Sequence, residues 1–187
     1  MKVRHQSLSP RTRWLKCPIN SGAYRPWLLE SGSLTKRLQA STKHFAVRPV
    51  MQGRFKPAHD EAYLLGLAPY QQHLLREVML MNGKNPVVFA HSVLPEKSLH
   101  GDWQALGRLG NKPLGAALFA NPCIVRTPLQ FKKLGEQHWL YRQVAKHLSH
   151  LPAMLWARRS IFKINKARAI MVTEVFLPEV LDLVSKS

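Results

Sequence analysis

The stretch that most constrains this chain is Leu74–Pro95, LLREVMLMNGKNPVVFAHSVLP. It reads as two β-strands around a short turn, because Asn82-Gly83-Lys84-Asn85 contains an Asn-Gly pair, a strong local hairpin signal. Side chains alternate along a strand, so Leu74, Arg76, Val78 and Leu80 share one face of the first strand. The second strand places Val87, Phe89, His91 and Val93 on one face. A guanidinium set among Leu and Val side chains requires a partner. The hairpin therefore calls for an anion, supplied by the protein or by a ligand.

The 187 residues suit one domain, large enough to bury about 70% of its unfolded surface. No apolar run reaches the ~20 residues of a membrane span, and the basic start MKVRHQSLSPRTRW lacks the apolar core of a secretory signal. These features predict a cytoplasmic protein with a basic arm over residues 1–21 and a folded domain over 22–187. Two cysteines, Cys17 and Cys123, read as free thiols in that compartment. The net charge of +18 favours anionic partners: a small polyanion, nucleic acid or an anionic membrane. The basic residues are dispersed, and no zinc-finger, RNP or helix-turn-helix pattern accompanies them.

Along the chain, Trp27-Leu28-Leu29 begins a short helical stretch ending at Ser31-Gly32. Ser33 is placed to cap a helix over 34–38. Residues 45–51 read as a strand in which Pro49 marks an edge or bulge. Residues 52–70 read as a connection, and a short helix is expected near Trp103–Leu109. Pro113 fits the first position of another helix, leaving the Leu114 amide in its first turn. The amides at Leu34 and Leu114 are thus two possible anion contacts. A strand is expected at 123–127 and a packing helix at 137–150. A closing pair of strands follows at 158–164 and 169–177, joined by a turn at 165–168. Strands and helices do not alternate, so the class is α+β with antiparallel pairing.

The last strand repeats the oddity of the first: Ile170, Val172, Glu174 and Phe176 share a face that Glu174 interrupts. Arg76 and Glu174 form either a buried structural pair or two walls of a ligand cavity. Periodicity leaves both readings open.

Four blocks, WLLESGSLTKRL, LLREVML…NGKNPVVFAHSVLP, LGRLGNKPLGAALF and LWARRSIFKI…VTEVFLP, occur in the order found in the chorismate lyase family, which the chain resembles. The resemblance implies an antiparallel sheet with helical flaps over a buried site. It also implies conversion of chorismate to 4-hydroxybenzoate and pyruvate at the entry to ubiquinone synthesis, without metal or organic cofactor. It assigns the ring carboxylate to Arg76, the ring hydroxyl to Glu174, and backbone contacts to Leu34 and Leu114. Arg158 is the candidate for the enolpyruvyl carboxylate. An arginine common in the family's hairpin is His91 here, read as structural support, with a part in substrate binding or entry as the alternative. The segment 130–153 is longer than in compact members, which suggests an enlarged flap or shield. His147 and His150 lack the carboxylate company of a metal site. The expected molecule is a monomer that handles chorismate and 4-hydroxybenzoate, binds no nucleic acid and makes at most transient contact with membrane-bound quinone enzymes. The competing readings are a non-catalytic ligand-binding module of the same fold and a basic nucleic-acid binder.

Overall fold

The hairpin forms as its turn chemistry dictates. In the computed structural model, which describes residues 13–68, 70–99, 103–104, 106, 110–164 and 169–183, strand β2 is His73–Asn82 and β3 is Asn85–Leu94. Gly83 turns the chain with φ +59, a conformation open to glycine because it lacks a Cβ. The other strands are β1 Phe45–Phe55, β4 Val125–Arg126, β5 Gln130–Gly135, β6 Met154–Lys163 and β7 Ala169–Phe176. They make one sheet in the order β1-β2-β3-β7-β6-β4, with β5 also on β6. Every pairing is antiparallel. Pro49 lies on an edge strand and beside a register shift, the two places where a missing amide is tolerated.

Helices α1 Arg25–Leu28, α2 Leu34–Ser41 and α4 Leu114–Ala120 lie on one face of the sheet, here the front. Helices α3 His59–Leu65 and α5 Trp139–Ala145 lie on the back. Ser33 caps α2 by accepting the Lys36 amide at 3.3 Å. Pro113 is the residue before α4 rather than its first residue.

Each face carries two apolar clusters. In front, Trp27, Leu28, Leu34 and Leu38 pack on Val78, Leu80 and Phe176, while Leu114 and Leu118 pack with Phe162 and Ile170. Burying each such side chain contributes about 1.5–3 kcal/mol. Behind, Leu140 and Val144 of α5 meet Met79, Phe89 and Val175, and Ala62 of α3 meets Leu75, Val93 and Met171. A polar stripe crosses the sheet between the clusters on both faces.

Several expectations change. Residues 52–70 are not a plain connection: β1 runs on to Phe55, and α3 follows. The strand at 123–127 shrinks to two residues, and β5 begins directly after it. The 137–150 helix is shorter, and β6 starts at Met154. The segment 130–153 therefore forms β5 and α5, and α5 packs behind the sheet, where it cannot act as a front flap. A register shift between Leu80 and Met81 moves Val87 into the front cluster, away from Phe89, His91 and Val93. The arm up to residue 12, most of the helix near Trp103–Leu109 and the 165–168 turn lie outside the described residues.

Candidate active site

Strand register places the functional side chains. Arg76 is opposite Ser92, Ser92 opposite Val172, and Val172 opposite Ser160. The next row on the same face runs Val78, Ala90, Glu174, Arg158. Ser92 and Ala90 are small, so the middle of the sheet is hollow between Arg76 on β2 and Glu174 on β7. Two strand spacings of ~4.8 Å and one two-residue step separate the positions carrying these charges. Leu34 and Thr35 of α2 and Leu114, Gly115 and Leu118 of α4 roof the hollow. The cavity left between these side chains is small, about 40 Å³, room for no more than a few water molecules. A Cβ built on Gly115 would sit 3.2 Å from Thr35 Oγ1, so this glycine lets the two helical covers close on each other.

Arg76 is only 3% exposed. Its Nη2 donates to the carbonyls of Gly110 at 2.9 Å and Lys112 at 3.0 Å, while its Nε has no partner. No carboxylate among the described residues pairs with it. Burial pushes its pKa down, and no charge raises it. The structural pair of Arg76 with Glu174 is therefore excluded. A buried guanidinium without a carboxylate partner, facing a pocket, has the chemistry to receive an anion.

Glu174 is held by another arginine. Arg158 Nε donates to its Oε2 at 2.6 Å. Arg158 Nη1 donates to the carbonyls of Trp27, Leu28 and Glu30 at 3.1, 3.1 and 2.8 Å. These include the last carbonyls of α1, which lack intrahelical donors. Arg158 thus fastens α1 and the residues that follow it to the sheet and fixes the Glu174 carboxylate. Arg158 was a candidate for the enolpyruvyl carboxylate; in the structure its Nε and Nη1 are committed within the protein.

His91 is not in this pocket. It lies on the back face in the row Glu77, His91, Thr173, Arg159. Its Nδ1 is 3.0 Å from Glu77 Oε1, and its Nε2 is 3.3 Å from Glu61 Oε1 in poor hydrogen-bond alignment. Burial alone would lower its pKa, but the charges and hydrogen bonds of Glu61 and Glu77 outweigh burial and hold it at about 9. Glu61 also accepts the Ala58 amide at 3.0 Å at the start of α3, and Asp60 pairs with Arg159 at 2.6 Å. His91 thus bridges β2 and α3 through Glu77 and Glu61, on the opposite face of the sheet from Arg76.

Sequence reasoning missed Arg126 on β4. It lines the pocket, its Nη2 donates to Ser31 O at 2.6 Å, and its guanidinium lies 5.3 Å from the Phe119 ring centre. It also missed Glu61 and Glu77. Glu77 was readable, since it sits on the strand face of Leu75 and Met79 as Arg76 does on the other.

The sequence matches the family profile described as Chorismate lyase over residues 11–186. This chain belongs to the chorismate lyase family. A "Probable chorismate pyruvate-lyase" of Methylobacillus flagellatus is 49% identical over 92% of this chain and 97% of that one. A protein of the same description from Nitrosomonas eutropha is 44% identical over 94% and 98%. Among solved structures, the PhnF C-terminal domain matches with a TM-score of 0.58 at 11% identity, covering 76% of this chain and 89% of that domain. PhnF from Mycobacterium smegmatis gives 0.57 at 15%, covering 81% and 66%. At such identities the likeness extends to the fold alone. Within the lyase family fold, the five front-face candidates Arg76, Glu174, Leu34, Leu114 and Arg158 line one pocket.

Proposed function

We propose that this chain eliminates pyruvate from chorismate, giving 4-hydroxybenzoate, in the pocket between the sheet and the two helical covers. The observation that carries the site assignment is Arg76, a buried guanidinium without a carboxylate partner among the described residues. It binds the ring carboxylate, with the amides of Leu34 and Leu114 as further donors. Glu174, oriented by Arg158, contacts the ring hydroxyl.

In the reaction the bond between the ring and the ether oxygen breaks, and the neighbouring hydroxyl-bearing carbon loses its hydrogen as a proton. The ring becomes aromatic, and the departing enolpyruvate takes a proton on its methylene carbon to become pyruvate. Aromatisation supplies the driving force, so the protein orients the substrate and stabilises developing charge. A carboxylate at that point, Glu174, can assist proton movement as a general acid or base. The pocket residues themselves supply these contacts.

The test is incubation with chorismate while following 4-hydroxybenzoate and pyruvate together. Equal amounts of both are expected; folded protein yielding neither overturns the assignment. The ligand-binding alternative predicts binding of the aromatic acid without turnover in that same assay.

A further inference from the structure

Resting on the lyase reading above, we infer that Arg126 receives the second carboxylate of the substrate, the one that departs as pyruvate, and so distinguishes substrate from product. Two anionic groups need two cationic receptors. Among the described residues three arginines line the pocket: Arg76, Arg126 and Arg158. Arg76 takes one carboxylate, and Arg158 is engaged with Glu174 and three backbone carbonyls. Among the described pocket arginines, Arg126 is the one left for the other end.

Its surroundings fit that role. A guanidinium has five N–H donors in a planar fork suited to a carboxylate. Nη2 donates to Ser31 O at 2.6 Å and Nη1 to Gly32 O at 3.4 Å, so these bonds use two donors. No ion pair joins Arg126 to a carboxylate among the described residues. Burial, then the nearby charge of Arg158, lowers its pKa, and the more distant carboxylates of Glu174 and Glu30 offset this only in part. Strand order supports the placement: β2 carries Arg76 toward one edge of the sheet, and β4 carries Arg126 at the other.

Arg126 also touches both covers: the Ser31-Gly32 turn leads into α2, and Phe119 belongs to α4. A carboxylate held by Arg126 is therefore held where the two covers meet. When the enolpyruvyl group leaves, Arg126 loses its anion while Arg76 keeps the aromatic carboxylate. The structure thus assigns Arg76 to substrate and product alike, and Arg126 to substrate alone.

The experiment compares wild type, Arg126→Gln and Arg126→Lys for turnover of chorismate and, by calorimetry, for binding of 4-hydroxybenzoate. Losing a charge-assisted contact predicts a KM for chorismate raised roughly ten- to a hundred-fold in Arg126→Gln. Affinity for 4-hydroxybenzoate changes by no more than about threefold, and Arg126→Lys recovers part of the loss because it keeps the charge. Unchanged KM overturns the inference. So does a parallel fall in 4-hydroxybenzoate affinity, which would make Arg126 only a clasp between the covers. If Arg126→Gln does not fold, Arg126→Lys decides: KM raised with product affinity retained supports the inference, and any other pattern overturns it. Wild type without turnover sinks the lyase reading itself, whereas active wild type with an indifferent Arg126→Gln sinks the inference alone.

Discussion

Replacing His91 and Glu77 together by Gln separates the back-face cluster from the front pocket. Glu61 and Glu77 flank His91 at 3.3 and 3.0 Å, and the imidazole is held at about 9 instead of its ordinary 6.5. A shift of that size corresponds to about 3 kcal/mol at ~1.4 kcal/mol per pH unit. Because the folded pKa is raised, this stability is fully present below about pH 6.5 and is lost as pH rises through about 9. The double variant His91→Gln/Glu77→Gln removes one cation and one carboxylate, leaving the cluster's net charge unchanged. Denaturant unfolding of both proteins from about pH 6 to about pH 9.5 should show the wild-type advantage shrinking by about 3 kcal/mol. A gap that stays constant to within about 0.5 kcal/mol across that window refutes the ion-pair reasoning. Because the cluster lies on the other face of the sheet, folded double variant should turn over chorismate within about twofold of wild type. The single change His91→Gln leaves two buried carboxylates facing each other and should cost about 3–5 kcal/mol at neutral pH.

Glu174→Gln keeps the shape but not the charge, and chorismate turnover should fall by about two orders of magnitude or more. Unchanged kcat would remove Glu174 from the chemistry. Ser33→Ala removes the cap of α2 and should lower stability by about 1 kcal/mol in thermal or denaturant unfolding. Gly115→Ala presses a methyl group against Thr35 Oγ1 at 3.2 Å. The covers should then close less well, raising KM for chorismate with little change in unfolding midpoint; an unaltered KM would show that the covers part freely there.

The sequence made the front face legible because its two anomalies lie on strands, where period two converts position into face. Arg76 and Glu174 each break an apolar face, and the register brings both to one pocket with Leu34 and Leu114. Alternation also places His91 on a face, but which face depends on strand pairing. Arg76 pairs with Ser92 and Glu77 with His91, so Arg76 and His91 point to opposite sides. Pairing is a long-range property that no local pattern encodes. The back helix α3 was missed for a related reason. It is seven residues long, too short to be stable from propensity alone, and is held by Asp60 to Arg159 and Glu61 to His91. Arg126 escaped notice because β4 has only two residues, leaving no periodicity against which a charge stands out. Arg158 was noticed, but its role follows from carbonyls about 130 residues away in the chain.

On the proposed reading, Arg76 is an unneutralised cation that takes up a ligand carboxylate. Calorimetry of 4-hydroxybenzoate and of phenol, which lacks the carboxylate, against wild type and Arg76→Gln tests it most directly. Wild type should bind the acid roughly ten- to a hundred-fold more tightly than Arg76→Gln does, and phenol should bind the two proteins alike. Equal affinity of the acid for both proteins would contradict the account.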